Sequence, residues 1–101
     1  MIRYTVKPDQ VAHNEELLLA VFAELDQTPL TGVRYAAFKL EDGVSFIHLI
    51  YNEHEKGQSP LSQLDSLRAF HSGIRERCAV APTRIKLSEI GAFRLLGEAS
   101  R

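Results

Sequence analysis

The segment at positions 44–51, Val-Ser-Phe-Ile-His-Leu-Ile-Tyr, most constrains the fold because it is apolar on both faces. Alternate side chains of a β-strand point to opposite sides of the sheet. One face carries Val44, Phe46, His48 and Ile50, and the other carries Ser45, Ile47, Leu49 and Tyr51. Such a strand needs cover on two sides. In a chain of 101 residues, helices can cover one side, so we expect another copy of the protein to cover the second.

The first part of the chain predicts a strand followed by a long helix. Positions 2–7 alternate apolar and polar side chains, which is typical of a half-buried strand, and Pro8 ends it. From Gln10 to Asp26 the apolar residues recur with helical spacing. Asp9 is the expected N-cap of this helix, and Asn14 is expected on its polar side.

The Asp42-Gly43 pair predicts a tight hairpin. It separates the apolar strand at 44–51 from an earlier strand-like segment at 33–40. Asp-Gly favours such turns because their central positions need positive φ. The second and third strands are therefore expected to be antiparallel neighbours.

The second half of the chain predicts another helix and a last strand. The apolar stripe at 60–78 follows Ser59, the expected N-cap, and Gly73 within it marks either a kink or a junction between two shorter helices. Pro82 is expected to stop the helix before a strand at 83–88.

This order of elements predicts an α+β fold of the ferredoxin-like βαββαβ type, with residues 1–101 as a single domain. Its four-stranded antiparallel sheet would carry both helices on one face and leave the other face open. If Phe46 and Ile50 stood exposed there, each would forgo about 1.5–3 kcal/mol of burial. A homodimer through the open sheet face, a dimeric α+β barrel with a cavity for a small ligand, is the expected remedy.

Composition narrows the partners. With 12 basic and 13 acidic residues the net charge is -1, which disfavours nucleic acid and anionic membranes as partners. One cysteine allows no internal disulfide and fits a reducing compartment. No apolar run reaches the roughly 18 residues of a membrane span. We therefore expect a cytoplasmic protein.

Several segments together carry a family resemblance. They are the start Tyr4-x-Val6-Lys7-Pro8, Gly32-Val33-Arg34-Tyr35, the hairpin Asp42-Gly43-Val44-Ser45-Phe46 and the helical pair Phe70-His71. With the predicted elements, they resemble the dimeric α+β-barrel superfamily, and within it the antibiotic-biosynthesis-monooxygenase-like domains. The resemblance implies a small homodimer. It also implies either a cofactor-independent, monooxygenase-like enzyme acting on a hydrophobic or aromatic small molecule, or a non-catalytic ligand-binding or structural module.

The resemblance does not extend to the haem-degrading branch of that superfamily. That branch relies on an Asn in the first strand, a Trp and a His. This chain has no Trp and no Asn within positions 1–10, and only His71 lies in a comparable position. The polyketide monooxygenases use a pocket with Asn, Trp, Tyr and Arg, and no residue-by-residue match to that pocket can be drawn.

Two histidines are the candidate catalytic residues. His48 lies in mid-strand, where it is either a general base near neutral pH or a hydrogen-bonded core or interface histidine. His71 borders the apolar stripe of the second helix, where it either reaches a pocket or edges the core. The expected pocket residues are Arg3, Thr5, Phe46, Ile50 and Tyr51. No cofactor or metal is expected, because no ligand spacing resembles a metal signature.

Overall fold

The chain folds in the order β-α-β-β-α-β. A computed structural model of the protein describes residues 1–52 and 60–93. The elements are β1 (Ile2–Val6), α1 (Val11–Gln27), β2 (Val33–Lys39), β3 (Ser45–Asn52), α2 (Asp65–His71), α3 (Ile74–Arg77) and β4 (Cys78–Arg84). The strands form an antiparallel sheet of order β2-β3-β1-β4 with the helices packed on one side. The predicted ferredoxin-like α+β fold is confirmed.

The register of β1 against β3 decides which face of the sheet meets the helices. Tyr4 lies opposite Phe46, and their rings stack with centroids 5.5 Å apart in the core. Ile50 packs against the same core. The prediction that Phe46 and Ile50 stand on the open face is therefore wrong. Because the apolar side of β1 is paired with this side of β3, one layer of helices covers both. This arrangement removes more apolar area from water than covering the other face of the sheet would.

The opposite face of the sheet has no described helix over it. By alternation it carries Arg3, Thr5, Arg34, Ala36, Phe38, Ser45, Ile47, Leu49 and Tyr51. The placement of Arg3 and Thr5 on this face is as predicted. Phe38 is 39% exposed and Tyr51 is 53% exposed, so the face presents apolar surface to solvent. We call it the open face.

Helix α1 begins one residue later than predicted, and its apolar face includes one polar residue. Pro8 starts a 3-10 helix at Pro8–Gln10, so Asp9 lies within that turn and Gln10 is the N-cap residue. Asn14, predicted on the polar side, is 0% exposed and shares the buried face with Leu18 and Val21. That prediction is wrong because Asn14 finds buried hydrogen-bond partners, described below.

The second helical segment is divided, and the last strand starts earlier than predicted. Gly73, with φ of 79°, separates α2 from α3, so of the two predicted alternatives it marks a junction between two shorter helices. The strand predicted at 83–88 instead runs from Cys78 to Arg84, and the helix ends at Arg77. Pro82 fits inside β4 because β4 is an edge strand and its register against β1 shifts at this point. Ser59, the predicted N-cap, lies outside the described residues.

Two findings bear on membranes and metals. Within residues 1–52 and 60–93, no helix is both long enough and apolar enough to cross a membrane. Across the same two ranges, no three His, Cys, Asp or Glu side chains come together as a metal site would require.

Candidate functional site

A cleft of about 150 Å³ opens between the helix-covered side of the sheet and the helices α2 and α3. Its lining comprises Ile2, Tyr4, His48, Phe70, His71, Ile74, Pro82 and Arg84. A cavity near 150 Å³ can hold a molecule the size of benzene, whereas drug-sized ligands occupy about 300–1,000 Å³. The cleft itself therefore accommodates a single ring.

His48 forms part of the cleft floor and is bonded at both ring nitrogens. Its side chain is 3% exposed, with Nε2 2.8 Å from the Tyr4 hydroxyl and Nδ1 2.9 Å from the Tyr35 hydroxyl. Burial, and secondarily charge on His71, lowers the pKa of His48 to about 4, so the ring is neutral at pH 7. Burial also raises the pKa of Tyr4 to about 12 and raises the pKa of Tyr35, so both phenols keep their hydrogens.

Behind His48 the hydrogen-bonded chain continues to a buried arginine. The Asn14 amide nitrogen donates to the Tyr4 hydroxyl at 3.0 Å, and Arg77 Nε donates to the Asn14 Oδ1 at 3.2 Å. Arg77 is 4% exposed and also donates to the carbonyls of Phe70 at 2.7 Å and Ser72 at 3.1 Å. These carbonyls lie at the C-terminal end of α2, where the helix dipole favours a cation. The guanidinium lies 4.9 Å from the centre of the Phe70 ring, which adds a cation–π contact.

The mouth of the cleft combines an imidazole with a guanidinium. His71 ends α2, is exposed, and lies 5.7 Å from the Phe70 ring between centroids. Partial burial, followed by the positive charges of Arg84 and Arg77, lowers the pKa of His71, so its ring is also neutral at pH 7. Arg84 ends β4 and, in the part of the chain that the structure describes, forms no ion pair with a carboxylate. A neutral proton acceptor, His71, therefore lies beside a cation, Arg84.

The two histidines predicted as catalytic lie on the same cleft, and their catalytic roles stay predictions. The two histidines differ in their hydrogen bonds. Both ring nitrogens of His48 are bonded, to Tyr4 and Tyr35, whereas those of His71 have no hydrogen-bond partner within the described residues. Proton transfer to a molecule in the cleft is therefore geometrically open to His71 and obstructed at His48.

The residues predicted to line a pocket do not meet in this cleft. Arg3, Thr5 and Tyr51 lie on the open face, and Ile50 packs against the core. Phe46 lines a second, apolar groove of about 320 Å³ between α1 and β2. The sequence reasoning did not identify the Tyr4, Tyr35, Asn14, Arg77 and Arg84 contributions to the site. Two of them had a local signal: Tyr4 lies on the apolar side of β1, and Asn14 falls three residues after Val11 and four before Leu18 on the apolar stripe.

Comparison of the chain with protein-family models, with curated proteins and with solved structures finds no match in any of the three. The site must therefore be interpreted from its own chemistry.

Proposed function

We propose that the protein is a homodimeric, cofactor-independent enzyme that takes a proton from a small hydrophobic molecule bound in the cleft, as the first step of a monooxygenase-like reaction. One observation carries the proposal: a neutral imidazole, His71, lies beside Arg84, which has no ion pair among the described residues, at the mouth of a cleft with an aromatic floor. The cleft volume limits the buried part of the substrate to about one ring.

The proposed proton transfer uses groups at the cleft mouth. A ring seated on Tyr4 and Phe70 would place an acidic O–H or activated C–H at the mouth, where a nitrogen lone pair of His71 accepts the proton. The electron pair left on the substrate is stabilised by Arg84, whose guanidinium stays charged throughout. The neutral side chains of the cleft floor favour this proton transfer, because they place no competing charge near the substrate anion.

The family resemblance implies dioxygen as the co-reactant of the substrate anion. For an activated CH₂ group the balance is simple: one oxygen atom becomes the product carbonyl, and the other leaves as water with the two hydrogens. The four electrons that reduce dioxygen all come from the substrate, so no flavin or metal is needed.

The test uses oxygen consumption and product analysis with single-ring quinols. We expect His71→Gln and Arg84→Gln each to reduce turnover at least tenfold. His13→Gln and Arg75→Gln are the matched controls, because both side chains are exposed and lie outside the cleft lining. Turnover that survives His71→Gln unchanged would refute the role of His71 as the base.

A second candidate function is a non-catalytic module that binds a small molecule in the same cleft. The full hydrogen bonding of His48 favours it, because a histidine bonded at both nitrogens stabilises a fold without needing a substrate. Ligand-observed NMR with benzene-sized aromatics distinguishes the two. Binding without oxygen consumption supports the module, and absence of binding contradicts both candidates.

The proposed homodimer rests on the open face. Ile47 and Leu49 are half-buried in the centre of this face, and Phe38 and Tyr51 extend the apolar surface to solvent. Cover by a second copy would contribute about 1.5–3 kcal/mol for each large side chain that becomes fully buried.

Sedimentation velocity at micromolar concentration tests the dimer. We expect Ile47→Asp to give folded monomers, because it introduces a charge into the desolvated interface. Leu19→Asp is the control, since Leu19 is 68% exposed on α1, on the opposite side of the sheet. A wild-type monomer, or an Ile47→Asp variant that stays dimeric, would contradict the proposed interface.

A further inference from the structure

In the hydrogen bonds behind the cleft, donor and acceptor can be assigned one after another, starting from Arg77. A guanidinium only donates, so the Asn14 atom that faces Arg77 Nε is the amide oxygen. The amide nitrogen of Asn14 then faces the Tyr4 hydroxyl at 3.0 Å and donates to it. The orientation of the Asn14 amide is thereby fixed by a residue 63 positions away in the chain.

The Tyr4 hydroxyl accepts from Asn14 and therefore donates its own hydrogen to His48. Tyr4 is 1% exposed, and its oxygen accepts from Asn14. Among the described residues, the acceptor within reach of its own hydrogen is His48 Nε2, at 2.8 Å. If Nε2 carried a hydrogen, the Tyr4 hydrogen would be buried without an acceptor, which is strongly unfavourable.

We infer that Arg77 and Asn14 are positioning residues that hold His48 in the tautomer with the hydrogen on Nδ1. The Nδ1–H then donates to the Tyr35 hydroxyl oxygen, 2.9 Å away, and the Tyr35 hydrogen is free to point elsewhere. Every donor in the chain of four hydrogen bonds points the same way, from Arg77 through Asn14, Tyr4 and His48 to Tyr35.

The consequence for the cleft rests on the proposed function. In this tautomer neither nitrogen of His48 offers a lone pair to a bound molecule, so the floor is neutral and His71 is the proton acceptor. Neither Asn14 nor Arg77 lines the cleft, so both act through His48 rather than on the substrate.

The tautomer can be read directly from the imidazole nitrogens. Long-range ¹H–¹⁵N correlation spectra of the labelled full chain, recorded without ligand at pH 7, distinguish a protonated from an unprotonated nitrogen. We expect His48 Nδ1 to be protonated and Nε2 to be unprotonated. A hydrogen on Nε2, or an even mixture of the two forms, would overturn the inference without any variant.

Asn14→Asp provides a designed reversal. The new carboxylate would accept from both Arg77 and the Tyr4 hydroxyl, so the Tyr4 oxygen would then accept from Nε2–H of His48. We expect the two nitrogen shifts to exchange. Glu15→Gln is the control on the same helix and should leave the spectrum of His48 unchanged. A folded Asn14→Asp variant that keeps the wild-type tautomer would show that Asn14 only fills space.

A second variant covers the case in which Asn14→Asp does not fold. Tyr35→Phe removes the last acceptor but keeps the chain from Arg77, so we expect Nε2 to stay unprotonated. A change of tautomer in Tyr35→Phe would assign control to Tyr35 and refute the inference. These spectra need no ligand, so a protein with the expected tautomer that neither binds nor turns over a single-ring aromatic would refute the proposed function alone.

Discussion

Acidification should destabilise the fold, and His48 should contribute a large, separable part of that effect. Its side chain is 3% exposed and lies among Tyr4, Tyr35 and Phe70, and charge on His71 further opposes its protonation. Protonation would place a second donor hydrogen on the ring and leave a phenolic hydrogen of the chain without an acceptor. Burial is the main cause of the low pKa of His48, and charge on His71 acts in the same direction.

The sign and size of the change in stability with pH follow from the difference between the pKa values of His48 in the folded and unfolded protein. In the folded protein the pKa of His48 is lowered from 6.5 to about 4, so the unfolded chain binds a proton at a pH where the folded protein does not. The stabilising contribution is complete above pH 6.5 and is lost as the pH falls towards 4. At 1.36 kcal/mol for each pKa unit, the loss is about 3 kcal/mol. This is a large part of the total of about 5–15 kcal/mol that is typical of a domain.

Urea unfolding of the wild type and of His48→Gln at several values between pH 7 and pH 4 measures this effect. Gln keeps a polar group that can donate and accept, and it does not titrate. We expect the stability difference between the two proteins to shrink by about 3 kcal/mol on acidification. His13→Gln, at an exposed position on α1, should follow the wild type. Parallel stability curves for wild type and His48→Gln would refute the argument that His48 is held neutral.

Three further changes test the packing of the site and the fold. Tyr4→Phe should lower the free energy of unfolding by about 1–3 kcal/mol, because Asn14 and His48 both lose a buried partner. Gly73→Ala should cost about 1 kcal/mol in urea unfolding because Gly73 has φ of 79°, whereas Gly91→Ala should be close to neutral. Ile50→Asp should unfold the chain rather than merely dissociate a dimer, which circular dichroism would detect; a folded variant would show that Ile50 does not belong to the core.

The parts of the fold that the sequence predicts are those with a local cause. The alternation of Ile2, Tyr4 and Val6 identifies β1 and its buried side, because period two is a property of one strand. The Asp42-Gly43 pair identifies the position of the hairpin, although its connection is longer than the tight turn predicted, because β2 ends at Lys39 and β3 begins at Ser45. Gly43 has φ of 79°, and the Asp42 carboxylate accepts from the backbone N–H of Val44 and Ser45. These interactions span three residues or fewer.

The start of β4 and the buried hydrogen bonds of Asn14 depend on residues that are distant in the sequence. From the sequence, Pro82 predicts the end of a helix before a new strand. In the structure it lies inside β4, because β4 is an edge strand, where a missing N–H is tolerated. Asn14 follows the helical period of buried positions, but its polarity outweighed the period in the prediction. Its partners Tyr4 and Arg77 lie 10 and 63 positions away, and only the folded chain brings them to it.

The two-faced strand β3 shows why periodicity alone could not place the site. Both of its faces are apolar, so a shift of one residue in register would exchange them with little change in the pattern. What distinguishes the faces is where the partners of their buried polar residues lie. His48 needs hydrogen-bond partners when buried, and the hydroxyls of Tyr4 and Tyr35 supply them only on the helix-covered side. The buried polar residue of the other face, Ser45, is bonded to Thr5 and Asp42 next to the hairpin. The part of that face around Ile47 and Leu49 is the side that we propose a second copy covers by apolar contact.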